Sequence, residues 1–216
     1  MSRRTLPLTV DRLAGLPSSC RSCLFWELDP VRRSRVCDAD ARAEKEAWVS
    51  SVLRDWGSCG RIAVVDGVTV GYLIYAPAAL VPGIDSFPTA PVSPDAVVMT
   101  TAYVDPAYAH GGIGRLLIQG MARDLIRRGG IRAVETFADT RGRRGHCMVP
   151  AEFCSRVGFK TQRAHSTSPR MRMDLRSALT WKDEVEQALE RLLGVVRPIV
   201  HPAPKASRPS ARTNRQ

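Results

Sequence analysis

The run Val97–Gly130, VVMTTAYVDPAYAHGGIGRLLIQGMARDLIRRGG, decides the fold. Val97, Val98, Met99, Thr101, Tyr103 and Val104 give its first part the β-branched and aromatic content of a strand. Asp105-Pro106 ends that strand, because proline has no N–H for a sheet ladder. Beyond it, Ile113, Leu116, Leu117, Met121, Leu125 and Ile126 recur near the helical period. Arg127-Arg128 and then Gly129 supply the cations and the cap that a helix end favours. Strand and helix are joined by Ala109-His110-Gly111-Gly112-Ile113-Gly114. A glycine turn here exposes the unpaired N–H groups and positive dipole end of the helix, which suits a phosphate or pyrophosphate. It suits a plain tight turn as well. No Gly-Lys-Ser/Thr closes it, so it is not a P-loop, and Leu117 stands where a dinucleotide fingerprint needs a third small residue.

The wider pattern resolves this choice. Val104-Asp105-Pro106 followed by Gly112-x-Gly114 resembles the acetyl-CoA signature of the GCN5-related N-acetyltransferase (GNAT) superfamily. Ala151-Glu152-Phe153-Cys154-Ser155-Arg156-Val157-Gly158-Phe159 resembles that family's later helix-to-strand signature. Two signatures in the right order are far more specific than either alone. The resemblance covers roughly Leu6 to Leu175. It implies an α/β (α+β) fold: a mixed, mostly antiparallel twisted sheet flanked by helices and splayed at an acetyl-CoA cleft. It implies coenzyme contacts from Tyr103, Val104, Ala109, His110, Gly111, Gly112, Ile113, Gly114, Arg115 and Asp139. In two places the chain departs from the family pattern. Ala109 replaces the usual Arg or Gln of the loop, and Cys154 replaces the Tyr that commonly acts as general acid.

The activity implied is acetyl transfer from acetyl-CoA to an amine, small or peptidic, by direct attack in a ternary complex. Catalytic candidates are Cys154 by motif position, Glu135 on the strand beside the cleft, and Glu27 after Trp26. A homodimer is an expected assembly. Two other readings stay open: a non-catalytic acyl-CoA-binding module, and a Cys-x-x-Cys metal or redox protein on the same scaffold.

Composition sets the limits. At 216 residues with 44% hydrophobic and 25% charged, the chain holds one ordinary domain with extensions. No apolar run is long enough to cross a membrane, and Asp11-Arg12 interrupts any leader-like start, so a cytoplasmic protein is expected. Five of the 32 basic residues lie at the C-terminal end (Arg197, Lys205, Arg208, Arg212, Arg215), with no acid among them. The net charge of +11 is thus partly a tail, and nucleic acid is not expected beyond weak attraction to it. The expected parts are a domain over 1–176, an amphipathic helix over 177–197 opened by Thr180, and a disordered tail over 198–216.

Elsewhere, Leu6, Leu8 and Val10 alternate as a first strand, and Ala41–Trp56 reads as a helix. Asp66-Gly67 marks a hairpin, and five prolines make 77–94 a loop. Thr140–His146 is a basic turn. Of six cysteines only Cys20-x-x-Cys23 has diagnostic spacing, and with Phe25-Trp26-Glu27 it resembles bacterial members of the superfamily. Two free thiols are the favoured reading there, with no metal assigned.

Overall fold

The computed structural model describes residues 2–142 and 147–178. In chain order these form β1 (Arg3–Pro7), α1 (Ser18–Arg21), α2 (Pro30–Arg33), α3 (Asp38–Asp55), β2 (Gly60–Val65), β3 (Val68–Ala76), β4 (Ala96–Val104), α4 (Ile113–Arg128), β5 (Ala133–Asp139), β6 (Val149–Pro150), α5 (Ala151–Arg156), β7 (Lys160–Arg163) and β8 (Arg170–Asp174). One sheet runs β1-β2-β3-β4-β5-β8-β7, with β6 beside β5. Every pair is antiparallel except β4–β5 and β5–β6. This is the mixed, mostly antiparallel sheet flanked by helices that the resemblance implied.

Alternation along the strands divides the core between two faces. Ala63, Val65, Val97, Met99 and Val134 face α4 and α5, while Ile62, Val64, Val98 and Phe137 face α3 and the N-terminal segment. On α4 the buried stripe is Ile113, Leu117, Ile118, Met121, Ala122 and Leu125. Ile126, expected on that stripe, is exposed, because the helix turns Ala122 and Leu125 to the sheet instead. Each large side chain so buried contributes about 2 kcal/mol.

Other expectations shift by a few residues. The first strand lies at Arg3–Pro7, since Thr9 and Val10 already lead into a 3₁₀ turn over Asp11–Gly15. The Asp66-Gly67 hairpin is present, with both residues at positive φ (47° and 88°). The proline-rich 77–94 carries only two short 3₁₀ turns. The expected helix from Thr180, the tail, and 143–146 of the basic turn lie outside the described residues.

Polar bonds also fix α4 to the sheet. Asp124 on α4 accepts from the Arg61 guanidinium of β2 and from Tyr75 Oη at 2.9 Å. Arg61 and Asp124 are each nearly buried, so losing one partner leaves the other charge poorly solvated. Asp124→Asn is expected to lower stability by about 3 kcal/mol, read as a reduced urea midpoint with an unchanged slope.

Candidate functional site

β4 and β5 run side by side only briefly. Ala96, Val97 and Val98 pair with Ala133, Val134 and Glu135, and beyond Val98 the two strands part. On its other side β4 stays paired with β3, but with a bulge: Ile74 faces Thr101 and Tyr75 faces Met99, leaving Thr100 as the extra residue. A bulge adds local twist and bends the strand that carries it. Among the described residues, the β5-facing backbone edge of β4 from Met99 to Val104 therefore has no strand partner.

Two cavities border this free edge. The first, about 480 Å³, is lined by Val104, by Tyr108, Ala109 and His110 of the loop, by Gly112–Arg115 of the α4 start, and by Phe153, Arg156 and Val157. Gly112 is the N-cap residue, at φ +78°, where a Cβ would be strained. Among the described residues no side chain caps this terminus and no acid lies in its first turn, so the opening N–H groups of α4 remain available to an anion. Arg3 of β1 steadies the loop from outside, donating to the Gly111 carbonyl at 2.7 Å.

Gly114 lines this cavity and also sets the packing behind it. A Cβ there would stand 2.6 Å from Phe153 Cε2, so the glycine admits the ring of α5 against α4. At Gly112 an added Cβ would meet no atom within 4 Å. The close approach at Gly114 is thus helix to aromatic ring, and it sets where Phe153 stands in the cavity wall.

The second cavity, about 260 Å³, is lined by Thr101, Ala102 and Tyr103 of β4, by Tyr72, by Trp26 and Lys45, by Cys20, Cys23, Cys147 and Met148, and by Pro17 and Ser19. Tyr72 and Tyr103 lie with ring centroids 5.8 Å apart. Trp26 donates from Nε1 to the Cys147 carbonyl at 3.0 Å and stacks on Phe87 at 5.2 Å. Lys45 is buried, its ammonium bonded to Glu27 and to the Cys23 carbonyl at 3.1 Å.

Of the residues implied by the resemblance, Val104, Ala109, His110, Gly112, Ile113, Gly114 and Arg115 line the glycine-loop cavity. Tyr103 lines the aromatic one. Gly111 contributes its carbonyl to Arg3, and Asp139 sits buried at the end of β5, accepting from Arg141 N at 3.2 Å. Tyr108, Phe153, Arg156 and Val157 were not anticipated in this wall. Phe153 and Arg156 could have been, since they stand at i and i+3 on one helix face.

The catalytic candidates are not brought together. Cys154 is fully buried in the core between sheet and helices, and burial pushes its thiol up to about 12. It lines neither cavity. Glu135 is also fully buried: Arg170 donates to it at 2.9 Å, Arg172 at 3.2 Å and Ser93 N at 3.2 Å. Arg172 also grips Asp95 with two bonds of 2.9 Å. Glu27 lies behind Lys45, one side chain removed from the aromatic cavity.

The Cys-x-x-Cys expectation is corrected. Cys23 forms a disulfide with Cys147, and Cys20 remains a free, half-buried thiol, so the two do not act as a pair of free thiols. The partner lies 124 residues away, beyond any spacing rule. Among the described residues no cluster of His, Cys, Asp and Glu could hold a metal ion.

The acetyltransferase (GNAT) family model matches residues 23–145, more than half of the chain. The chain belongs to the acetyltransferase (GNAT) family. Its fold is similar to the PaiA N-acetyltransferase of Thermoplasma acidophilum, solved with coenzyme A, at 14% identity and TM-score 0.54, over 81% of this chain and 99% of that one. It is also similar to the aminoglycoside acetyltransferase AAC(6')-Ib, solved with coenzyme A and kanamycin, at 18% identity and TM-score 0.54, over 83% and 98%. An N-acetyltransferase from Staphylococcus aureus Mu50 matches at 13% identity and TM-score 0.53, over 81% and 99%. No curated protein sequence matches the chain. Among the described residues, no helix of this acetyltransferase is long and apolar enough to cross a membrane.

Two substitutions probe these placements. Gly114→Ala pushes Phe153 out of position and is expected to weaken coenzyme A binding about tenfold by calorimetry. Gly112→Ala, strained by about 1 kcal/mol in the backbone alone, should weaken it less. Glu135→Gln removes a charge held by two arginines, and a stability loss of about 3 kcal/mol is expected with no new inflection in a pH–rate profile. A changed profile at unchanged stability would restore Glu135 as a base.

Proposed function

We propose that this protein transfers the acetyl group of acetyl-CoA to a primary amine by direct attack within a ternary complex. The observation that carries the reading is the free edge of β4, whose successive residues border two cavities. Val104 borders the glycine-loop cavity and Thr101–Tyr103 border the aromatic one. A coenzyme whose pyrophosphate rests on the α4 terminus would run its pantetheine along this edge, and its thioester would meet the aromatic cavity. Arg115 and Arg156 stand beside the terminus as charge partners for phosphate. AAC(6')-Ib and PaiA carry coenzyme A on the same fold, which supports the assignment of the cosubstrate.

In this reading catalysis rests on placement and on backbone donors. The unpaired N–H groups of β4 polarise the thioester carbonyl, and the cleft holds the amine at bonding distance. Neither Cys154 nor Glu135 touches the reacting atoms in this arrangement. A group that borders the cavity can serve the departing thiolate, namely the Tyr103 hydroxyl. The amine proton leaves to water, since no carboxylate lines the cavity among the described residues.

The test is release of free coenzyme A thiol from acetyl-CoA in the presence of a broad panel of primary amines, with the acetylated product confirmed by mass. Turnover well above the amine-free rate is expected. Tight coenzyme binding without turnover on any amine would favour the non-catalytic acyl-CoA-binding reading, which the loss of the motif tyrosine at Cys154 motivates.

A further inference from the structure

Resting on the acetyl-transfer reading above, we infer the acceptor's chemical class: a small monoamine with a flat, apolar body, as in an arylalkylamine, and not a polyamine or aminosugar. Size and wall chemistry give the first half. At about 260 Å³ the aromatic cavity is just below the range of ligand pockets, so it suits a small molecule. Trp26, Tyr72 and Tyr103 supply its rings. Two of them are fixed: Trp26 is 1% exposed and held by Cys147 and Phe87, and Tyr72 is 2% exposed. Rigid ring walls favour a flat guest and lose little entropy on binding it.

Charge gives the second half. Among the described residues that line this cavity there is no Asp or Glu. Its one ammonium belongs to Lys45, and the carboxylate that neutralises it, Glu27, lies behind the wall. Asp105 is the carboxylate of the adjoining shallow cavity, which shares Pro17, Tyr72 and Tyr103, and it already accepts from Ala107 N at 2.8 Å. A guest with three or four ammonium groups would bury several of them without a counter-charge, at a cost of several kcal/mol each. A single ammonium can be held over ring faces while it enters. Once inside, burial against a wall that carries no carboxylate among the described residues disfavours the protonated form and so favours the neutral, nucleophilic amine.

The experiment uses the full-length protein with acetyl-CoA and four amines: 2-phenylethylamine, benzylamine, spermidine and kanamycin. Thiol release gives kcat/KM, and quenching of tryptophan fluorescence gives equilibrium binding of each amine. Cys20→Trp, at a half-buried wall position, fills the cavity without touching the glycine loop. The expected result is kcat/KM at least 100-fold higher for the arylalkylamines. Cys20→Trp should reduce that value at least tenfold while coenzyme A affinity holds. Equal or better turnover of kanamycin or spermidine overturns the class but leaves acetyl transfer standing, and so does an unchanged arylalkylamine KM in Cys20→Trp. Saturable binding of 2-phenylethylamine without any turnover supports the class and overturns acetyl transfer. Absence of both binding and turnover for the arylalkylamines overturns the class.

Discussion

The structure depends on a fork. β4 and β5 are parallel neighbours for three pairs and then separate, and the last of those pairs is Val98 with Glu135. A separating pair of strands is unstable unless something fixes the point of separation, because the ladder would otherwise continue to zip. Two features fix it here. The Thr100 bulge bends and twists β4 two residues beyond its last pair with β5. On the other, the Glu135 carboxylate is held by Arg170 and Arg172 of β8, and Arg172 reaches across to Asp95 just before β4. This network joins the strand on one side of β5 to the approach of the strand on its other side. The residue that invited a role in proton transfer is thereby the clamp at the base of the cleft.

The strand, loop and helix around the glycines were legible because their signals are local. Residue type, period and a proline stop are all contained within Val97–Gly130. The clamp was not legible, for a reason specific to sheets. Alternation places Glu135 with Phe137 on one face but does not say which face. Only the register, with Glu135 opposite Arg172 and Phe137 opposite Arg170, brings the arginines of RMRMD onto the acid. That register is a long-range fact. Cys154 shows the converse: the resemblance put it at a catalytic position, but the helix turns it into the core and Phe153 towards the cavity.

Lys45 was missed for a different reason. It occupies the inward stripe of α3 with Ala41, Val49 and Val52, where an aliphatic residue would ordinarily stand. Read by type, a lysine in a helix rich in charge is a solvated residue. Its position four residues from both Ala41 and Val49 was the available signal, and Glu27 in an otherwise apolar LFWEL run was the matching one. A buried pair of this kind adds little to stability beyond what apolar residues would give, but it places a cation at a defined point in a largely apolar wall.

The Cys23–Cys147 bond closes a covalent ring that contains α3, α4 and β2 through β5, and with them the glycine loop and the fork. Among the described elements, β1, α1, β6, α5, β7 and β8 lie outside it. A protease that nicks an exposed turn inside the ring, such as Asp66-Gly67, opens the chain without parting it. The two fragments stay tethered near the aromatic cavity, and they separate only when the bond is reduced.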